Sequence, residues 1–107
     1  MELVDALRVL PQIPMEIYNI FGFVVTEETR QGGFRLKSSN KKYENLEIKY
    51  YIKRDKSFVR VKVNWYTKEL ETKELVRFFK GMLEFIELNN PNENTLGSWV
   101  YSYQSLY

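Results

Sequence analysis

Residues 46–66 alternate in two runs whose faces differ in chemistry. Leu46, Ile48, Tyr50 and Ile52 fall on one side of the first run, with Glu47, Lys49, Tyr51 and Lys53 on the other. Beyond the turn Arg54-Asp55-Lys56-Ser57, Val59, Val61, Val63 and Trp65 share a side, opposite Phe58, Arg60, Lys62, Asn64 and Tyr66. Strand side chains alternate with period two, so the pattern predicts a hairpin with one dry face and one basic, ring-studded face.

Helical spacing appears at both ends of the chain. Residues 2–10 read as a short helix with Leu3, Leu7 and Leu10 on one stripe, ended by Pro11. Pro14 suits the first position of a further helical turn through Met15 and Ile17. Residues 72–88 carry the broadest stripe: Leu75, Phe78, Phe79, Met82, Leu83 and Ile86 oppose Glu74, Arg77, Lys80, Glu84 and Glu87. Thr72 is the candidate N-cap of that helix, and Asn89-Asn90-Pro91 its stop.

Residues 20–27 and 34–37 read as two further strands around a Gly32-Gly33 turn, with Phe34 and Leu36 inward and Arg35 and Lys37 outward. Residues 38–44 are a polar loop. Residues 96–107 read as a last strand, with Trp99, Tyr101, Tyr103 and Tyr107 on one face. The expected architecture is α+β: an antiparallel sheet of four to five strands with helices packed on one face, in the order α-β-β-β-β-α-β. The tetrapeptide Thr-Lys-Glu-Leu occurs at 67–70 and again at 72–75, too short to define a structural repeat.

Composition narrows the chemistry. A chain of 107 residues reads as one domain over 1–107, and 44% apolar content is ample for a core without staples. With no cysteine there is no disulfide, thiolate nucleophile or sulfur ligand, and with no histidine the usual general base and commonest metal ligand are missing. No P-loop lysine follows Gln31-Gly32-Gly33, and Glu27-Glu28, with Glu44 and Glu47 near, read as turn acids rather than a metal site. No cofactor is expected, and the chain reads as a non-enzyme.

No run approaches the roughly 18 apolar residues of a membrane span. Glu2 and Asp5 stand where a secretory signal would carry base, so the expected location is intracellular. The net charge of +2 does not by itself argue for nucleic acid, although a basic face can coexist with an acidic one.

Two surfaces are candidates for function. The outer sheet face gathers Arg35, Lys37, Lys49, Lys53, Arg60 and Lys62 with Tyr51, Phe58 and Tyr66 among them, opposed only by Glu47. Such a face resembles sheets that bind single strands, where cations track phosphates and rings stack on bases. It equally fits a solvated face of an antiparallel sheet. The second surface is the tail, whose rings Trp99, Tyr101, Tyr103 and Tyr107 either complete the core or form a subunit or partner interface.

Tyr50-Tyr51-Ile52-Lys53, followed by Lys56, Phe58-Val59 and Trp65, resembles the hairpin of small anti-CRISPR proteins from viruses of hyperthermophilic archaea. The resemblance spans about twenty residues. It implies a dimeric viral protein that inhibits type I-D interference by binding the large subunit of that complex, in the host cytoplasm. Those inhibitors are acidic, whereas the outer face here is basic. A vaguer likeness is to small secretion-chaperone-like α+β folds, which also dimerise.

The sequence therefore leads to a small protein-binding factor, viral or from a mobile element, that modulates a host defence system as a homodimer or bound to a host protein. The alternative is a single-stranded nucleic-acid-binding module using the basic sheet face.

Overall fold

The alternation over 46–63 folds into a hairpin, with a turn shorter than the expected Arg54-Asp55-Lys56-Ser57, since Lys56 and Ser57 already pair. In a computed structural model, which describes residues 13–28, 33–54 and 56–104, strands β3 (Leu46–Lys53) and β4 (Lys56–Val63) pair antiparallel. Leu46 faces Val63, Ile48 faces Val61 and Tyr50 faces Val59, and all six side chains are buried. Lys53 pairs with Lys56, so the connecting turn is two residues, with Arg54 left-handed at φ 53. Cross-strand pairs of β-branched and aromatic residues on a buried face are what fix this register.

The remaining strands extend the hairpin on both sides. β1 (Val24–Glu28), β2 (Phe34–Lys37) and β5 (Tyr66–Glu71) complete a five-stranded sheet in the order β1-β2-β3-β4-β5, every neighbouring pair antiparallel. Phe34 and Leu36 point inward as their alternation requires. The register slips between Val25 and Glu27, a bulge that bends this edge.

Helix α1 (Met15–Phe21) begins after Pro14 and ends at Gly22, whose left-handed φ of 58 returns its N–H to the Tyr18 carbonyl at 2.8 Å. This shortens the strand expected over 20–27: Ile20 and Phe21 belong to the helix, and pairing begins at Val24. The polar loop at 38–44 holds a 3-10 turn, Lys41–Tyr43, started by Asn40, whose side chain accepts the Lys42 N–H.

The long helix α2 (Leu75–Asn89) follows a 3-10 turn, Thr72–Glu74, and closes at left-handed Asn90 before Pro91. Leu75, Phe78, Phe79 and Met82 form its buried stripe.

The order differs from expectation in two places. Residues 66–71 form the additional strand β5, and the tail is not a strand. Glu93–Ser102 is helix α3, capped by the Asn92 side chain, which accepts the Thr95 N–H at 2.8 Å. Leu96 and Val100, four apart, are fully buried, and this helical period outweighs the aromatic alternation of Trp99, Tyr101 and Tyr103. The α+β class and the antiparallel sheet with helices on one face hold, in the order α-β-β-β-β-β-α-α.

Inward side chains of the sheet and the three helices share one apolar cluster. The predicted helix at 2–10 and the turn residues 29–32 lie outside the described residues. Among the described residues no helix is long and apolar enough to cross a membrane.

Candidate functional site

Strand pairing sets the outer face into rows. One row runs Lys37, Glu47, Lys62, Thr67 across β2 to β5. The next runs Arg35, Lys49, Arg60, Glu69. A third places Tyr51 beside Phe58 and Glu71. Arg35, Lys49 and Arg60 are thus direct cross-strand neighbours, a like-charge arrangement that costs stability unless counter-charge is near.

Counter-charge comes from two sides. Arg35 Nε lies 3.9 Å from Glu47 and Arg60 lies 3.5 Å from Glu69, both in half-exposed surroundings. The expectation that Glu47 alone opposes the cations is therefore corrected: β5, not recognised as a strand in the sequence, adds Glu69 and Glu71 to the rim. Among the described residues no carboxylate pairs with Lys37, Lys49 or Lys62. The side chain of Lys53 lies outside the described set.

The rings of this face are mostly occupied. Tyr51 is only 9% exposed; its ring stacks on Phe58 with centroids 5.7 Å apart, and Arg60 and Lys49 lie over it at 5.6 and 5.9 Å. Its hydroxyl donates to Glu69. Burial first, and then the Glu69 hydrogen bond and charge, push the Tyr51 phenol above its ordinary range, with Arg60 opposing. Tyr51 accordingly orders the cations around it rather than offering a face to a ligand. Tyr66 is corrected to the opposite side of the sheet, where its ring meets Gly97 of α3.

One ring is free. Trp65, expected to continue the inward valine series, sits in the β4–β5 turn and is 72% exposed. The reason is Asn64: its left-handed φ of 59 lets Val63 pair directly with Tyr66, so the period of two breaks at the turn.

Beside Trp65 lies a groove of about 410 Å³ lined by Lys37, Asn45, Glu47, Lys62 and Asn64. A second hollow, sharing Glu47 and Lys62 with it, continues along the face past Arg35, Lys49 and Arg60. The Trp65 end is braced from below. The Asn45 backbone N–H and Nδ2 both donate to Glu93, at 3.1 and 2.9 Å, and Asn64 Nδ2 donates to Asn94 at 2.9 Å.

The tail divides between core and surface. Trp99 is half-buried against Phe78 and Phe85, and Tyr103 meets Phe78 edge-on at 4.9 Å and donor Arg77 at 3.1 Å. Tyr101 remains 65% exposed and touches Tyr66, which in turn touches Trp65. Tyr107 lies outside the described residues. Helical geometry, not strand geometry, therefore separates the expected ring face.

Among the described residues no three acidic side chains gather as a metal site. The side chains of Glu27 and Glu28 lie outside that set, and Glu44 is exposed. No protein-family model, curated protein or solved structure matches the chain.

Proposed function

We propose that the chain is a non-enzymatic binding module whose open sheet face takes an extended anionic partner, single-stranded nucleic acid. The observation that carries this reading is the side-by-side placement of Arg35, Lys49 and Arg60, with Lys37 and Lys62 in the next row, on a sheet face that none of the described helices covers. Glu47 and Glu69 offset Arg35 and Arg60 in the free protein, and the phosphates of a bound strand would add counter-charge along the row, Lys49 included. A chain without histidine or cysteine fits a role that needs no catalytic group.

The test is binding of labelled single-stranded oligonucleotides across a salt series. The log–log slope should approach −0.7 per contacted phosphate. Replacing Lys49 and Lys62 with alanine should make it shallower by about one unit or more. No binding at about 50 mM salt defeats the proposal, because the electrostatic contribution is then near its strongest.

A second reading rests on the exposed rings Trp65 and Tyr101, joined through the half-buried Tyr66. Clustered large rings suit a protein partner, either a second copy or a host protein, as for a small viral or mobile-element factor that modulates host defence. Co-purification from lysate with and without nuclease separates the two: stoichiometric protein that survives nuclease favours the second.

A further inference from the structure

We propose that the groove beside Trp65 is a nucleotide subsite, in which a base stacks on the indole and the flanking phosphates meet Lys37 and Lys62. The inference rests on the nucleic-acid reading of the sheet face and adds to it a place, a stacking ring and a preference for single over double strands. Trp65 is the most exposed aromatic ring among the described residues, and it stands at the end of a groove whose cations have no carboxylate partner among those residues. Free indole would ordinarily be buried, since its apolar area is large. A solvent-facing indole next to two lysines matches the needs of an unstacked nucleotide: a π-face for the base and charge for the phosphate.

The ring is also held ready. Tyr66 backs it at 5.8 Å, and the turn that carries it is tied to α3 through Asn64 and Asn94. Asn45, on the other wall, is fixed by Glu93. Ordering the ring in advance lowers the entropy cost of capture. Glu47, between the two lysines in the row, also lines the groove, but it lies 3.9 Å from Arg35, which offsets its charge beside the two lysines. A base inside a duplex cannot reach the indole without being unstacked, so duplex should be the poorer ligand.

The experiment follows intrinsic fluorescence of the full chain on addition of a single-stranded oligonucleotide, its duplex, or buffer. The chain has two tryptophans, and Trp99 packs between Phe78 and Phe85, so quenching reports mainly Trp65. Single strand should quench the emission and duplex should not. Trp65→Ala should weaken binding on the order of 5- to 150-fold, the range of one lost base stack, with the salt slope unchanged. Trp65→Phe should restore part of that loss.

Wild-type affinity in Trp65→Ala would overturn the subsite while leaving the sheet-face reading standing. Equal quenching by duplex would also overturn it. No binding of any oligonucleotide would defeat both, and a nuclease-resistant protein partner lost on Trp65→Ala would then assign the corner to protein recognition.

Discussion

Single side chains show where this fold carries cost. Tyr18 is buried, and its hydroxyl has no hydrogen-bond partner among the described residues. Burial pushes its phenol up to about 12, above the ordinary 10.0. The folded value lies above the unfolded one, so the unfolded chain loses its proton first as pH rises. The stability this group contributes is complete below pH 10 and is lost between about 10 and 12. Tyr18→Phe should therefore match or exceed the parent in urea at pH 8, and should lose less stability than the parent between pH 9 and 11. A steeper alkaline loss in the variant would contradict the burial.

Two glycines supply a matched pair. A Cβ on Gly97 would clash with Tyr66 Cδ2, whereas one on Gly81 would meet only Trp99 at 3.2 Å. Both lie inside helices, where alanine gains about 0.5–1 kcal/mol over glycine. Forcing the Tyr66 ring aside should cost about 1–3 kcal/mol, so the clash wins at Gly97. Thermal melts should show Gly97→Ala falling by several degrees and Gly81→Ala within a degree or two of the parent.

Elements were legible in proportion to the strength of their period. The β3–β4 hairpin and α2 follow from alternation and from a wide apolar stripe; the hairpin stands as the pattern places it up to Val63, and α2 from Leu75 onward. β5 does not announce itself in the sequence, because in Tyr66–Glu71 only Tyr66 and Leu70 are apolar, and unbroken alternation from β4 puts Tyr66 on the other face. The Thr-Lys-Glu-Leu tetrapeptide shows the limit directly. At 67–70 it lies in β5, paired to β4, and at 72–75 it forms a 3-10 turn and opens α2. Four residues do not choose their structure; the neighbouring strand and the helix stripe choose it.

The candidate site inherits these limits. Its five described cations could be read from alternation, but Glu69 and Glu71 could not without β5, nor Trp65's exposure without the parity break at Asn64. The tail is the sharpest element-scale case. Leu96 and Val100 are fully buried, each burial being worth roughly 1.5–3 kcal/mol, and Trp99 and Tyr103 add contacts with α2. Against a domain stability of about 5–15 kcal/mol, loss of α3 is ruinous. A chain ending at residue 92 should lack a cooperative melt by circular dichroism and should scatter light as aggregate. A folded product would mean that α3 only decorates the surface.

At the scale of the whole molecule, the dimensions are those of one compact chain. Its Cα radius of gyration is 12.9 Å, against about 13 Å for a lone compact chain of this length. Its accessible surface is 6547 Å², close to the roughly 6,300 Å² characteristic of a monomer of 12.9 kDa. Two of the tail rings expected at a subunit interface, Trp99 and Tyr103, pack within the protomer against Phe78 and each other. The exposed rings left at the β5 corner, Trp65 and Tyr101, make a small patch beside lysines rather than the broad apolar surface of an obligate dimer. Multi-angle light scattering at tens of micromolar should therefore return a mass near 12.9 kDa, independent of concentration and salt. Self-repulsion of the basic face points the same way, since two such faces do not dock on each other without counter-charge. A mass near twice that value, falling to the single-chain mass when Trp65 and Tyr101 are both replaced by aspartate, would instead make the aromatic corner a homotypic contact. Both positions are exposed, so the double variant should fold, and its circular dichroism spectrum should match the parent's. A dimer that survives the double variant would place the contact elsewhere, with the edge strands β1 and β5 the next surfaces to mutate.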